Sequence, residues 1–181
     1  MTKSRWSARF YNWEPKTLND AMNQILTPCG SPEEFDRRGR EDAGVITRLV
    51  NKLKPSGMAL DFGCGIGRVL RHLPYDRFDG YEPNEGMRKF HSTWLGASHK
   101  VYKEIGEIPS TKYDFVFEML VFQHVPFDEL EKILLEVKRV LKPDGLLLVG
   151  SELSYLKDFM DTLNKYFKLF RNTPRIYQLR G

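Results

Sequence analysis

The sequence lacks the features of a membrane or secreted protein. No apolar run approaches the about 18 residues that a membrane-spanning helix needs. The N-terminal stretch is basic, polar and aromatic, so it has no apolar core of a signal peptide. The chain has only two cysteines, Cys29 and Cys64, which could pair but provide no disulfide framework. We therefore expect a soluble, cytoplasmic protein without a membrane partner.

Metal-ligand patterns and a phosphate-binding P-loop are also absent from the sequence. The histidines show no HxxxH spacing and the cysteines no CxxC spacing, so no zinc site is predicted. In the glycine-rich stretch, Arg68-Val69 stands where a P-loop requires Lys followed by Ser or Thr.

The net charge of +4 is modest and its excess lies at the C-terminal end. No acid follows Asp161, whereas five basic residues do: Lys165, Lys168, Arg171, Arg175 and Arg180. Such a segment can attract phosphates, so a nucleic-acid partner is an alternative. We favour a solvated basic edge.

No repeat or linker divides the chain, so we expect one domain over residues 1–181. Residues 1–55 are predicted to form a helical arm or lid, and residues 56–181 a sheet core. Ser31 followed by Pro32 is a helix start, and a longer helix follows. Its apolar residues at helical spacing are Val45, Ile46, Leu49, Val50 and Leu53.

Strands and helices alternate through the rest of the chain. Strands are predicted at residues 58–62, 78–82, 101–105, 113–117 and 146–150, and helices at 67–73, 84–95, 128–141 and 155–164. This alternation predicts a parallel sheet that is covered on both faces. Two final strands, at 166–171 and 175–179, are joined too closely for a crossover and must be antiparallel. The expected fold class is therefore α/β, doubly wound and mostly parallel, with a final antiparallel hairpin.

The most informative stretch reads as a strand, an acid, a GxGxG loop and a helix start, in residues 59–70. Glycines let a backbone approach a ligand closely, and a helix start offers free N–H groups. A dinucleotide fingerprint requires GxGxxG, but Gly67 comes one residue early and Arg68 occupies the third glycine's position. Asp61 would repel pyrophosphate but suits an ammonium group. Glu82, at the end of the next strand, can accept both ribose hydroxyls, so we prefer this role to a solvated strand end.

These residues resemble the class I S-adenosylmethionine-dependent methyltransferases. The matching segments, within about residues 40–152, are LDFGCGIGRV, DGYEPNEGM, KYDFVFEMLVFQHV and RVLKPDGLLLVGSE. The resemblance implies a Rossmann-like, seven-stranded sheet in which only the last-inserted strand is antiparallel. It implies S-adenosylmethionine as cofactor and S-adenosylhomocysteine as product.

The resemblance also carries cofactor contacts over to the loops that follow the first four strands. Around the methionine moiety it places Asp61, Gly63, Cys64 and Gly65, with Glu118 over the methionine end. Around the adenosine it places Glu82, Pro83, Glu104 and Ile105. Gly39-Arg40 resembles a Gly-Arg pair of some members, in which Arg40 would pair with the methionine carboxylate. A surface charge on the helix is an equally good interpretation of Arg40.

His124, just after the fourth strand, is the candidate catalytic residue. An imidazole there could take a proton from the acceptor, or it could cap the following helix without a chemical role. Four N-terminal aromatic residues could enclose the sulfonium as a lid or pack on the sheet edge: Trp6, Phe10, Tyr11 and Trp13.

The acceptor is expected to be a small molecule. Phe117-Glu118-Met119-Leu120 departs from the Asn/Asp-Pro-Pro-Tyr/Phe motif of enzymes that methylate nucleic-acid amino groups. RNA or protein methylation, and a protein that binds S-adenosylmethionine without catalysis, are the alternatives. A dehydrogenase is a more distant one.

Overall fold

The computed structural model describes residues 14–26, 29–151, 157–171 and 175–180. The four aromatic residues of the expected lid lie outside the described residues, as does the start of the last predicted helix. Within the described ranges, no helix is long and apolar enough to cross a membrane.

A seven-stranded sheet in the order β3-β2-β1-β4-β5-β7-β6 forms the centre of the fold. The strands are β1 Ala59–Phe62, β2 Phe78–Tyr81, β3 Val101–Tyr102, β4 Tyr113–Glu118, β5 Leu141–Val149, β6 Phe167–Arg171 and β7 Ile176–Leu179. Strands β1 to β5 are parallel, and β7 is antiparallel to both of its neighbours, β5 and β6. The predicted mostly parallel sheet with a final antiparallel hairpin is confirmed.

The helices are α1 Leu18–Ile25, α2 Pro32–Leu53, α3 Glu85–Arg88, α4 His91–Trp94, α5 Phe127–Val140 and α6 Lys157–Tyr166. Instead of a short helix and a longer one, α2 is continuous over 22 residues and is capped by Ser31. Its buried residues are Phe35, Gly39, Ala43, Ile46, Leu49 and Val50. Val45 was expected on that face but is 39% exposed, because the buried stripe advances by three or four residues and passes beside it.

The connections on the β2 side of the sheet contain less helix than predicted. Between β1 and β2 only a 3₁₀ turn forms, Leu70–His72. Gly67 has φ 91 and cannot begin the predicted helix, and Pro74 disfavours a helical conformation in Leu73. The predicted helix over 84–95 is divided into α3 and α4, with Asn84 capping α3 as expected. In β5 the predicted turn at 142–145 is an irregularity inside a longer strand, where Asp144 has φ 61.

The core lies on both faces of the sheet, as a doubly wound fold requires. On one face α5 packs Leu130, Leu134 and Val137 against strand residues such as Val116. On the other, α2 packs Ile46 and Val50 in a cluster with residues of β1 and β4. The chain leaves β1 for β2 on one side and enters β4 on the other, so the loops after β1 and β4 diverge. A crevice at such a point, beside the carboxyl ends of the strands, is where open α/β sheets bind ligands.

Candidate active site

A cleft opens at this switch point. Helix α1 forms one wall, and the loops after β1, β2 and β4 form the others. Its lining residues are Gln24, Ile25, Gly63, Gly65, Glu82, Pro83, Asn84, Met87, Met119, Leu120, Val121 and His124. Gly63, Gly65, Glu82, Pro83 and His124 are the sequence-predicted site residues that the structure brings together there.

The glycine loop after β1 has room only for glycine at two of its positions. Gly63 and Gly65 have φ values of 78° and 59°, a region that favours glycine. A Cβ on Gly63 would lie 2.7 Å from Val121 Cγ2, and one on Gly65 would lie 2.7 Å from Ile25 Cδ1. The loop is therefore enclosed between α1 and the segment after β4, with its backbone facing the cleft.

Glu82 is buried at the end of β2, with its carboxylate facing the loop. Its Oε2 accepts a hydrogen bond of 2.7 Å from Gly65 N, and its Oε1 accepts one of 2.8 Å from Asn84 N. Burial raises the pKa of Glu82 to about 7, although both bonds favour the charged form. Each oxygen keeps a second lone pair, so a bound ribose can still donate to it. Binding of the ribose hydroxyls by Glu82 stays a prediction.

Asp61 is 3% exposed, and its Oδ2 accepts no hydrogen bond from the part of the chain that the structure describes. Burial raises the pKa of Asp61 to about 8; Arg68 opposes the shift, and Glu82 and Glu118 add to it. A buried carboxylate oxygen without a donor costs about 1–3 kcal/mol or more. An ammonium group such as that of S-adenosylmethionine would satisfy it, so the residues present fit this cofactor. Asp61 itself precedes the loop and does not line the cleft wall.

Glu118 is fully buried, and its carboxylate already has several donors from its own chain. Oε2 accepts from Val121 N, Phe122 N and Ser151 Oγ at 2.8, 3.2 and 2.7 Å, and Oε1 accepts from Ser151 N at 2.9 Å. Burial raises its pKa. The carboxylate thus fixes the turn after β4, where Leu120 has φ 65. Glu118 does not line the cleft, and its contact with the methionine moiety stays a prediction.

The structure does not bring Arg40 to the cleft. Its side chain is 71% exposed on α2 and pairs with Asp36 at 2.5 Å. The buried cation beside the glycine loop is Arg68, which is 4% exposed and lies 2.7 Å from Asp42. Arg68 lines a second cleft that shares Met119 and Leu120 with the first. From the sequence, Arg68 served only to exclude a P-loop and a dinucleotide fingerprint. Its burial as a counter-charge to Asp61 was not predicted.

Three further predicted contacts lie outside the cleft wall. Cys64 is buried in the core cluster with α2, where burial raises the pKa of its thiol, and neither cysteine forms a disulfide. Glu104 is exposed at the start of a 3₁₀ turn, Ile105–Glu107. Arg139 Nη2 donates to Ile105 O at 2.8 Å and holds this turn against α5. Adenine contacts at these positions stay predictions.

His124 ends the 3₁₀ turn Phe122–His124 and lies on the cleft wall opposite the loops after β1 and β2. Its Nε2 is 3.3 Å from Gln123 Nε2. Gln24 of α1 also lines the cleft, and its Oε1 is buried without a partner among the described residues. Gln24 was not predicted as a site residue, because nothing in the helical pattern of α1 shows which side faces a ligand. No group of three or more His, Cys, Asp or Glu that could hold a metal occurs among the described residues.

Known proteins resemble both the sequence and the fold. Residues 60–149 match the family described as a methyltransferase domain. N-terminal Xaa-Pro-Lys N-methyltransferase 2 of Danio rerio is 30% identical over 107 residues, which are 53% of this chain and 38% of that protein. Alpha N-terminal protein methyltransferase 1 of Drosophila melanogaster is 24% identical over 172 residues, 87% of this chain and 61% of that protein. Magnesium protoporphyrin IX methyltransferase of Synechocystis PCC 6803, solved with bound S-adenosylmethionine, has a TM-score of 0.66 at 17% identity and covers 100% of both chains.

A doubly wound sheet with a glycine loop and two buried acids at its switch point defines a nucleoside-binding α/β protein. The family match over residues 60–149 narrows this class to the methyltransferases. The chain belongs to the class I S-adenosylmethionine-dependent methyltransferases, and S-adenosylmethionine is its cofactor. The chain spans 38% and 61% of the length of the two curated relatives.

Proposed function

We propose that the chain binds S-adenosylmethionine in the cleft and transfers its methyl group to a small-molecule acceptor. The observation that carries the acceptor class is the cleft lining. Apart from Glu82 at the loop side and His124 on the opposite wall, the described lining side chains are apolar or carry uncharged amides, and none of them is a lysine or arginine. A nucleic-acid acceptor is expected to need cations beside its phosphates, which makes a small acceptor the better fit.

The cofactor's binding groups follow from the charges around the loop. Glu82 would accept the ribose hydroxyls, and Asp61 would face the ammonium group. Arg68 at the end of the loop, rather than the exposed Arg40, would be the cation for the methionine carboxylate, which it would share with its partner Asp42. When bound, the cofactor supplies a methyl group that its sulfonium has already activated.

The chain's own contribution is to align the acceptor and to exclude water. Helix α1 encloses Gly65 through Ile25, and Met119, Leu120 and Val121 form an apolar wall after β4. Such a wall favours a desolvated reaction, in which proximity supplies much of the rate. His124 is the group on this wall that could take a proton from an acceptor that must lose one. Gln24 would orient the acceptor through its Oε1, which has no hydrogen-bond partner in the described part of the chain.

A second candidate is methylation of a protein's N-terminal amine. The names of the Danio rerio and Drosophila melanogaster relatives describe that activity for those proteins. The second cleft adjoins the first through Met119 and Leu120 and offers charged groups to a peptide: Arg37, Arg38, Glu41 and Asp42. Binding of the cofactor without catalysis is the third candidate.

We also propose that the arm, residues 1–55, and the sheet core, residues 56–181, act as one domain. Gln24 and Ile25 of α1 contribute to the cleft, and Gly39 of α2 approaches the backbone of Arg68 closely. The expectation of a cytoplasmic location rests on the two unpaired thiols, which suit a reducing compartment.

The test is transfer of a radiolabelled methyl group from S-adenosylmethionine into separate pools of metabolites, RNA and peptides with free N-termini. Label in the metabolite pool is the expected result, and it should disappear in Asp61→Asn. Label only in peptides would replace the small-molecule proposal with the second candidate. Binding of S-adenosylhomocysteine with no label in any pool would favour a protein that binds the cofactor without catalysis.

A further inference from the structure

Gly65 is held through both of its backbone polar groups by side chains from elsewhere in the fold. Its N–H donates to Glu82 Oε2 at 2.7 Å, and its carbonyl oxygen lies 2.7 Å from His91 Nε2. Its φ of 59° places these two groups in an orientation that few other residues adopt easily. Two side chains therefore fix the peptide planes on either side of the glycine that faces the cleft.

His91 is the first residue of α4 and makes this contact from outside the cleft. A carbonyl oxygen can only accept, so Nε2 carries the hydrogen and donates it. Burial lowers the pKa of His91, which keeps the ring neutral near pH 7. Arg88, one turn earlier, donates to the Glu82 carbonyl oxygen at 2.7 Å. The segment from α3 to α4 thus supports both the acid and the loop.

We propose that His91 is a positioning residue for the cofactor, which acts by holding the Gly65 carbonyl so that the glycine loop is preformed before the adenosyl ligand arrives. The inference rests on the proposed function because it takes the cleft as the cofactor site. A loop that is already ordered loses less conformational freedom on binding, so the ligand binds more tightly. Without the His91 bond the Gly65 carbonyl oxygen would keep, among the described residues, only the weak contact with Cys64 Sγ at 3.9 Å.

The chain contains a matched control in His99. Its Nε2 lies 3.0 Å from Leu73 O, so it also bonds a backbone carbonyl from a partly buried ring. Leu73 follows the 3₁₀ turn Leu70–His72 and does not line the cleft. Removing this bond should affect stability in a similar way without touching the glycine loop.

The test compares S-adenosylhomocysteine binding by calorimetry to the wild type, His91→Leu, His91→Gln and His99→Leu. His91→Leu removes the hydrogen-bond donor but still fills part of the space of the ring. This variant should bind S-adenosylhomocysteine about 3- to 10-fold more weakly. His91→Gln keeps an N–H at similar reach and should stay within about twofold of the wild type. His99→Leu should bind like the wild type. Rescue by glutamine is the result that packing alone would not produce.

Thermal unfolding of each variant shows whether it folds. If His91→Leu does not fold, His91→Asn replaces it, because its shorter amide does not reach the carbonyl. Unchanged binding in the folded donor-removing variant, or equal weakening in His91→Gln, would overturn the proposal while leaving the proposed function intact. A wild type that does not bind S-adenosylhomocysteine would overturn both.

Discussion

Two glycines of α2 differ only in what surrounds them, and their replacement by alanine should have opposite effects. A Cβ on Gly39 would overlap the backbone carbonyl oxygen of Arg68 and lie 3.1 Å from its carbonyl carbon. A Cβ on Gly44 would meet only Arg48 Nη1, at 3.5 Å, which is ordinary contact with a flexible side chain. Neither glycine has a positive φ, so alanine fits the backbone conformation at both positions.

The magnitudes follow from helix propensity and overpacking. Alanine in place of glycine in a helix contributes about 0.4–1 kcal/mol, and Gly44→Ala should gain this amount in free energy of unfolding. Gly39→Ala should gain the same contribution from helix propensity. It should also lose up to about 3 kcal/mol of unfolding free energy through overpacking, because the Arg68 backbone cannot move without displacing the loop. The net loss is then about 2 kcal/mol. At about 2–4 °C per kcal/mol for a chain of this size, Gly39→Ala should melt about 4–8 °C lower and Gly44→Ala about 1–4 °C higher.

Thermal unfolding monitored by circular dichroism would measure both shifts. Gly39→Ala should also weaken S-adenosylhomocysteine, because Arg68 directly follows Gly67 at the end of the glycine loop, whereas Gly44→Ala should not. A Gly39→Ala protein as stable as Gly44→Ala would refute the close approach of α2 to the loop.

Three further predictions concern the cleft. Glu82→Ala should weaken S-adenosylhomocysteine by about 1.5–3 kcal/mol, as measured by calorimetry, and should also lower the melting temperature, because Gly65 N and Asn84 N lose their acceptor; an unchanged dissociation constant would exclude Glu82 from the site. Because the pKa values of Asp61 and Glu82 are raised to about 8 and about 7, cofactor binding at pH 7 should release protons, and affinity should rise with pH up to about 8. The folded apoprotein keeps protons that the unfolded chain has released, so these groups also make its stability fall between about pH 4 and 8. Calorimetry of cofactor binding in buffers of different ionisation enthalpy that detects no proton release would contradict the shifts. His124→Ala should reduce turnover about 10²–10⁴-fold if His124 is the base, with cofactor affinity unchanged, whereas a rate within about threefold of wild type would assign it a structural role.

The order of strands and helices could be predicted from the sequence because its signals are local. Apolar runs bounded by Gly and Pro predict the strands, and the stripe of α5 predicts its buried face. The connections after β1 and β2 were predicted less well because Pro74 and the division between α3 and α4 limit helix length in ways that apolar spacing does not show. Val45 was placed on the wrong face because a five-residue apolar group does not fix the phase of a 22-residue helix.

Some residues of the candidate site could likewise be predicted from the sequence, and others could not. The placement of Gly63, Gly65 and Glu82 on the cleft could be predicted because the parallel topology brings those strand ends together. Gln24, Arg68 and His91 could not, because their places depend on the packing of α1, α2 and α4 against the glycine loop. Arg40 had the right charge but is exposed on α2 and pairs with Asp36, because the apolar spacing of the sequence does not fix which side of this helix faces the site.

Ligand-induced thermal stabilisation tests the central claim most directly. If the cleft holds S-adenosylmethionine, S-adenosylhomocysteine should raise the melting temperature as its concentration rises. At 100 times the dissociation constant the gain is about 2.7 kcal/mol, which corresponds to about 5–11 °C. NAD should cause no shift, because Asp61 and the early Gly67 disfavour a pyrophosphate. Stabilisation by NAD and none by S-adenosylhomocysteine would contradict the account.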